Sequence, residues 1–458
     1  MNQSYWQKTS KKTIEKRIET DISTDIVIIG GGLSGLALAY QLKDSPYRVI
    51  VLDKDELGSH TSGHTTAKIT TFHALHYQKI VQHYDIHQAY LYYKSNEDAL
   101  SQIKEIIQKE NIQCQFQENE SYIYTDDPQY VPYIEREKEI FDLLRVPTKT
   151  LDTHLSSLGL EHQGIFHPLQ YLYALIRICK EHGVCFYEHS EVKHIERKNQ
   201  QFVLNVNGKQ IHCLYLIHAT RYPFIKKGLY FLKLFQQKEY VDFVDHQKTK
   251  NSLLCVDQTV SYRPIDETNS LSIQRDSKDW FAQDSIALRG IPYIGRLDQQ
   301  SNEFVIYGFQ KWGMTLSQVA GKLIADLILE RDNPYEELYS CHYFSMSHAK
   351  PYYAKLWNNT KRGMILNHFQ NHSIQALQCQ SGIVTRVHGK LRAVYKDKKG
   401  ELHYFSPYCP HLKCIVEFVE KDQTWTCPCH QSVYDAYGKL IEGPSLFSLQ
   451  KKDIDKRK

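Results

Sequence analysis

The chain has 458 residues, 41% apolar and 24% charged, the make-up of an ordinary globular protein of about three domains rather than a disordered, collagen-like or membrane-embedded one. Its formal charge of +4 lies at the ends: residues 1–20 carry five Lys/Arg against two Glu, and residues 451–458 five against two Asp, so about −2 remains between them. Short basic ends are usually solvated and give no argument for nucleic acid. The first residues lack the apolar stretch of a secretory leader, and no run reaches the ~20 apolar residues of a membrane span, so a cytoplasmic protein is expected.

The first predicted unit opens at Asp25. Ile26-Val27-Ile28-Ile29 is an unbroken β-branched run and predicts a strand buried on both faces. A turn, Gly30-Gly31-Gly32-Leu33-Ser34-Gly35, leads into a helix over Leu36 to Leu42, and Val49 to Leu52 predicts a second strand ending at Asp53. This βαβ unit carries the spacing Gly30-x-Gly32-x-x-Gly35. Gly30 permits a tight turn, Gly32 a close approach of backbone to pyrophosphate, and Gly35 close packing of helix on strand. The helix start around Ser34 offers amides to phosphate, and Asp53 lies 18 residues past Gly35, where an acid accepts ribose hydroxyls. FAD and NAD share this pattern. No second GxGxxG exists, so a separate NAD(P)H site has no support.

A polar loop, Ser62-Gly63-His64-Thr65-Thr66-Ala67-Lys68, follows; Lys68 reads equally as a solvated or a functional lysine. Residues 74–110 are helical in pattern, with Leu75, Ile80, Tyr84, Leu91, Leu100, Ile103 and Ile107 as core positions. Pro168 starts a helix to about Glu181, stopped by Gly183. Strands are predicted at 193–197, 202–206 and 214–219, an antiparallel sheet within 229–308, a last strand at Glu303 to Gly308, and a helix at Thr315 to Glu330. Residues 331–375 read as a linker with one or two short helices. From 376 to 450 only strands are predicted.

Seven of the eleven cysteines are scattered; Cys409, Cys414, Cys427 and Cys429 crowd together with His411 and His430. Cys409-Pro-His411 and Cys427-Pro-Cys429-His430 reduce to C-x-H and C-x-x-H. Two thiolates and two imidazoles in this spacing suit a Rieske 2Fe–2S centre, Cys409 and Cys427 on one iron and His411 and His430 on the other. A tetrahedral zinc site uses the same ligand types, although zinc ribbons usually pair ligands as C-x₂₋₄-C and would leave Cys414 and Cys429 unexplained.

The glycine turn, with Leu36 and Ala39-Tyr40, resembles the opening of the D-amino-acid oxidase-like FAD-dependent oxidoreductases. The resemblance implies a Rossmann-like α/β FAD-binding domain with an antiparallel substrate sheet. It also implies that Tyr307-Gly308-Phe309-Gln310-Lys311-Trp312-Gly313-Met314-Thr315 returns to the flavin and offers it backbone amides. Thr65 and Thr66 would pass the pyrophosphate, Lys68 would lie near flavin N5 or the oxygen face, and Ala219-Thr220-Arg221-Tyr222-Pro223 would lie near the ring. The cysteine–histidine segments are similar to the high-potential Rieske proteins of cytochrome bc complexes. That similarity implies a Cys414–Cys429 disulfide, Ser432 and Tyr434 as hydroxyl donors that raise the potential, and Gly443-Pro444 as a covering loop. Lys413 and Gln431 stand where glycine is usual, which questions any requirement for positive φ there.

An oxidase-like domain followed by a small all-β Rieske domain is a bacterial architecture that the chain resembles over about residues 24–450. The expected layout is an oxidoreductase domain at 24–330, a linker at 331–375 and a Rieske domain at 376–450. Within the first, 24–75, 168–225 and 300–330 would bind FAD, and mainly 76–167 and 226–299 the substrate. The expected activity is dehydrogenation or oxidation of a small amine, amino acid or hydroxy compound. Flavin electrons would then leave one at a time through the cluster, by an exposed His411/His430 edge, to an external acceptor. Reverse flow toward a reductase or oxygenase reaction, and a redox-sensing module, are the alternatives. Arg263 and Arg289 are candidate carboxylate anchors or ordinary surface arginines.

Overall fold

The structure is a computed structural model that describes residues 3–225, 227–245, 249–258, 260–274, 279–298, 301–342, 350, 353–354, 374–411, 413–443, 445 and 447–452. The chain divides into two units, residues 1–221 with 238–344, and residues 222–237 with 345–458.

The first unit is built on a six-stranded sheet. Its order is Tyr293–Arg296, Glu303–Tyr307, Tyr215–His218, Ile26–Ile29, Val49–Leu52 and Cys185–Tyr187. Neighbours run parallel except at the Tyr293–Arg296 edge. Every residue of Ile26–Ile29 and Val49–Leu52 is buried, as β-branched strands covered on both faces must be. Helix Leu33–Leu42 packs against Pro168–Glu181 and against Gly313–Ile328. The second contact is very close: a Cβ on Gly321 would lie 2.7 Å from the carbonyl carbon of Ala37.

An eight-stranded sheet runs Trp280–Ala287, Leu234–Val244, Ser270–Ile273, Ser261–Pro264, Ser252–Cys255, Gln117–Thr125, Ser156–Ile165 and Lys68–Ile69. A further four-stranded sheet joins Ile22–Ser23, Lys209–Cys213, Gln201–Val206 and Val192–Lys198. The helical pattern over 74–110 resolves into two helices, His76–His83 and Ile86–Lys109. The break falls at Asp85, whose carboxylate accepts from the Gln88 amide at 2.8 Å, an N-cap that periodicity does not reveal. The last helix starts at Gly313 rather than Thr315, and strand Glu303–Tyr307 leaves Gly308 in the turn. Within 331–375, Glu336–Tyr339 is a short helix whose Tyr339 ring is fully buried. Most of the remaining expected linker lies outside the described residues. No helix among the described residues is long and apolar enough to cross a membrane.

The second unit holds an antiparallel three-stranded sheet (Ser381–Val387, Lys390–Lys396, Leu402–Phe405) and a four-stranded one (Glu417–Val419, Thr424–Thr426, Val433–Asp435, Leu440–Glu442). Val416, Trp425 and Tyr434 are fully buried in its core, packed with Cys409 and Cys427.

Candidate functional sites

In the first unit the glycine turn is dictated by lack of space. Gly30 has φ +115°, and a Cβ there would lie 2.5 Å from the Ala219 carbonyl oxygen; one on Gly35 would lie 2.0 Å from the Gly30 oxygen. Gly32 caps helix Leu33–Leu42 without a side-chain bond, while the Leu33 amide donates to Ser62 Oγ at 3.0 Å. The amides of Gly32, Ser34 and Gly35 have no acceptor among the described residues. Open first-turn donors beside a side-chain-free surface form an anion cradle that fits a dinucleotide pyrophosphate. Asp53 braces the turn, its carboxylate accepting from Gly31 N at 2.8 Å and Asp55 N at 2.9 Å. Burial raises its pKa against the pull of His60 and these two amides.

The return segment offers a second open helix start. Gly308, Gln310 and Lys311 all have positive φ (83°, 55° and 74°), which turns the chain sharply into helix Gly313–Ile328. Among the described residues the amides of Gly313, Met314 and Thr315 have no acceptor. Their side chains are otherwise placed. The Thr315 hydroxyl donates to Asn96 Oδ1 at 2.7 Å, the Trp312 ring stacks on His73 with centroids 4.6 Å apart, and Lys311 pairs with Glu239. In the intervening loop Thr65 and Thr66 are half-buried, and the Thr65 carbonyl accepts from Trp6 Nε1 at 2.6 Å. His64 is buried with Nδ1 2.8 Å from the His60 oxygen.

Lys68 is not a solvated loop residue. It lies in an edge strand, and its Nζ reaches Ser261 Oγ and, at 3.4 Å, the Leu253 carbonyl. Burial, then the charge of Arg263, push its pKa down to about 7, with Glu239 opposing. Arg263 is not a surface arginine either: it is 3% exposed, lies 4.7 Å over the Trp6 ring, and donates from Nη2 to the Phe166 carbonyl at 2.7 Å. Its buried Nε has no acceptor. Arg289, by contrast, is spent on structure, its guanidinium donating to the carbonyls of Ile291, Ser340, Tyr339 and Pro292. Glu239 and Asp284, which sequence reading did not single out, bring negative charge to the same neighbourhood. Burial, then Glu239, push Asp284 up to about 6 against Lys311 and Arg221. Neither acid belongs to a motif, so no local signal marks them.

In the second unit two loops repeat one hydrogen-bond pattern. Cys409 N donates to Cys414 O and Lys413 N to Cys409 O (2.8 and 2.9 Å); Cys427 N donates to Ser432 O and Gln431 N to Cys427 O (2.9 and 2.8 Å). The pattern needs a left-handed residue in each loop, and Lys413 (φ +60°) and Gln431 (φ +59°) supply it without being glycine. A disulfide joins Cys414 to Cys429. Tyr434 Oη lies 3.1 Å from Cys409 Sγ, and Ser432 Oγ accepts from Ser445 N at 2.9 Å. Hydrogen bonding from Cys427, with help from Tyr434, outweighs burial and lowers the Cys409 pKa.

His411 Nδ1 and both ring nitrogens of His430 are buried without a partner. Burial lowers both imidazole pKa values and keeps the rings neutral, the form that ligates metal. Orphaned nitrogens facing paired thiols call for a metal centre. A single tetrahedral ion would draw its ligand atoms together at bonds of about 2.0–2.3 Å. Two thiols and two neutral imidazoles are equally the donor set of a two-iron cluster, with the thiolates on one iron and the imidazoles on the other. Of the expected open histidine edge, His430 is 3% exposed while His411 is half-buried, and the Tyr222 and Phe231 rings stand edge-on to His411, with centroids 6.4 and 6.0 Å away. Pro444, expected over the cluster, lies outside the described residues.

A nucleotide cradle in an α/β unit and a Cys₂His₂ centre in an all-β unit define a flavin and iron–sulfur oxidoreductase. The chain carries a D-amino-acid oxidase-type FAD-dependent oxidoreductase domain and a C-terminal Rieske domain, which imply FAD and a 2Fe–2S cluster as cofactors. The FAD dependent oxidoreductase family profile matches residues 25–238 and the Rieske [2Fe-2S] domain profile residues 372–452. A Bacillus subtilis (strain 168) chain described as a Rieske 2Fe-2S iron-sulfur protein, YhfW, is 27% identical over 99% of this chain and 98% of its own length. The cytochrome b6-f complex iron-sulfur subunit of Prochlorococcus marinus (strain MIT 9211) is 45% identical over 47 residues, 10% of this chain and 26% of that one. Among solved structures, glycine oxidase from Geobacillus kaustophilus has a TM-score of 0.60 at 16% identity, covering 71% of this chain and all of that one.

Proposed function

We propose that this protein dehydrogenates a small amino acid at the flavin and passes the electrons singly through the Rieske cluster to an external one-electron acceptor. The observation that carries the substrate class is charge of both signs in one buried neighbourhood. Arg263 has an unsatisfied Nε and Lys68 stands beside it, while Glu239 and Asp284 supply the opposite sign. A buried guanidinium donor without an acceptor is costly unless an anion meets it. A carboxylate on Arg263, with the substrate ammonium toward the acids, satisfies both.

FAD, when bound, supplies the hydride acceptor. The amides of Gly32, Ser34 and Gly35 and the carboxylate of Asp53 would hold its nucleotide end, and those of Gly313, Met314 and Thr315 would face its ring. Lys68, with a pKa brought down to about 7, is able to take the ammonium proton, and Ser261 and the Leu253 carbonyl hold its Nζ in place. Removing that proton frees the nitrogen lone pair that expels the α-hydride. Cys409 and Cys427 would bind one iron and His411 and His430 the other. With a cluster bound, a hydrogen bond from the Tyr434 hydroxyl to the Cys409 sulfur would raise its potential.

The test is anaerobic addition of amino acids, amines and hydroxy acids to holoprotein, following flavin bleaching and then cluster reduction. Bleaching by an amino acid, followed by cluster reduction, is the expected result. Bleaching only by hydroxy acids would overturn the substrate class. Reduction only from an added ferredoxin, cluster before flavin, would overturn the direction.

A further inference from the structure

We propose that Trp6 is a positioning residue for the substrate anion: its ring face holds the Arg263 cation in place without taking the Nε–H that a carboxylate would use. The inference rests on the reading above that Arg263 anchors the substrate. Trp6 sits on helix Tyr5–Thr9, ahead of the stretch matched by the flavoprotein family. A five-residue helix is not stable by itself, and this one is fastened at both ends. Ser4 caps it, closing a capping box with Gln7, and the Ser4 hydroxyl also donates to the Gly63 carbonyl. Gln7 Nε2 donates to the Ser59 carbonyl at 3.2 Å, and Thr9 Oγ1 lies 3.0 Å from His167 Nε2. Trp6 itself is 1% exposed; its Nε1 donates to the Thr65 carbonyl, and its ring stands edge-on to His167 with centroids 4.9 Å apart.

The helix is laid over one row of the eight-stranded sheet. Register pairs Phe243 with Leu271 and Leu271 with Arg263, so the three side chains project from one face. Tyr5 stacks on Phe243 at one end of the row, with centroids 5.1 Å apart, and the Trp6 ring lies 4.7 Å from the Arg263 guanidinium at the other. Among the described residues no acidic side chain pairs with Arg263. An acid there would occupy the N–H donors and cancel the charge, leaving nothing for a substrate. An aromatic face attracts the cation and accepts none of the hydrogen bonds that recognise a carboxylate. With Nη2 spent on the Phe166 carbonyl and Nε without an acceptor, the guanidinium is held in place with a donor unused. The same helix grips the loop that steadies the nucleotide cradle, for Ser62, between Ser59 and Gly63, accepts from the Leu33 amide at 3.0 Å. Anion site and cradle share one support.

The test titrates flavin-loaded holoprotein with benzoate and with its neutral counterpart benzamide, following the flavin absorbance. The parent should bind benzoate more tightly, and Arg263→Leu should abolish that preference. Trp6→Leu should weaken benzoate about tenfold and leave benzamide unchanged. Trp6→Phe, which keeps a ring face, should stay within about threefold of the parent for both. Ser4→Ala, a smaller change that removes the helix cap and the bond to Gly63, should weaken benzoate alone by about threefold. A flavin-loaded Trp6→Leu protein that binds benzoate as the parent does overturns the proposal. So does an equal loss for benzoate and benzamide, which marks packing only, and so does Trp6→Phe falling as far as Trp6→Leu. Where Trp6→Leu does not fold or load flavin, Ser4→Ala decides by the same comparison of the two probes. A parent without the benzoate preference, or an Arg263→Leu protein that keeps it, instead overturns the reading of Arg263 as the anchor.

Discussion

Lys413 and Gln431 hold backbone angles that favour glycine, one in each cluster loop. A left-handed residue with a Cβ costs about 1–2 kcal/mol, while glycine adds about 0.4–1 kcal/mol of unfolded-chain entropy. Lys413→Gly and Gln431→Gly should therefore each stabilise the loaded protein by roughly 0.5–1 kcal/mol, seen as a higher midpoint in thermal melts followed by cluster absorbance. Tyr434→Phe removes the hydroxyl 3.1 Å from Cys409 Sγ. If that bond favours the reduced cluster by about 1 kcal/mol, the midpoint potential should fall by about 40 mV in a redox titration. Lys68 must be neutral to accept a proton, so kcat/KM for a substrate amino acid should rise with pH through about 7. Lys68→Met should remove that limb from the pH profile and lower the plateau about 100-fold.

Among helices, Pro168–Glu181 has its bounds written in the chain: Pro168 fixes its first turn and Gly183 lies just past its end. The side chain that caps it is His167, whose Nδ1 accepts from Gln170 N at 3.3 Å and whose Nε2 meets Thr9 Oγ1 at 3.0 Å. The cap needs a neutral ring, and burial followed by Arg263 lowers the His167 pKa to about 4. Between about pH 6.5 and 4 the unfolded chain binds a proton that the folded chain refuses, so stability falls as pH falls across that window. His167→Asn keeps an acceptor that does not titrate there. Denaturant melts at pH 7 and pH 4.5 should show a smaller acid loss for the variant than for the parent. Helix His76–His83 shows the opposite degree of legibility. Glu137, 60 residues on, accepts from the amides of Tyr77 and Gln78 at 2.9 and 3.0 Å, a cap that only tertiary structure supplies.

At the scale of the molecule, the glycine turn and the cysteine–histidine loops were readable because each is short and its chemistry fixes residue type and spacing. Arg263 was not, because the ring it packs on, Trp6, lies far earlier in the chain, and an arginine in an aromatic strand pattern looks solvated. One part of the partition was unreadable for a related reason: residues 222–237 have the composition of their neighbours yet pack with the other unit. Gly321 ties the two ends of the first unit together, and Gly321→Val would drive methyl groups into the backbone of Ala37 and Leu38. Such overpacking against backbone costs about 1–3 kcal/mol or more. The variant should melt earlier and purify with less bound flavin, read from the ratio of flavin to protein absorbance.

That contact also orders events on the ribosome. Ile26–Ile29 emerges early, but its parallel neighbour begins at Tyr215, the next strand at Glu303, and the helix that presses on Ala37 carries Gly321. The nascent chain must expose its first glycine turn for about three hundred residues of synthesis before the opposite wall exists. On the proposed placement of FAD between the two helix starts, the nucleotide is expected to load late, on a nearly finished polypeptide.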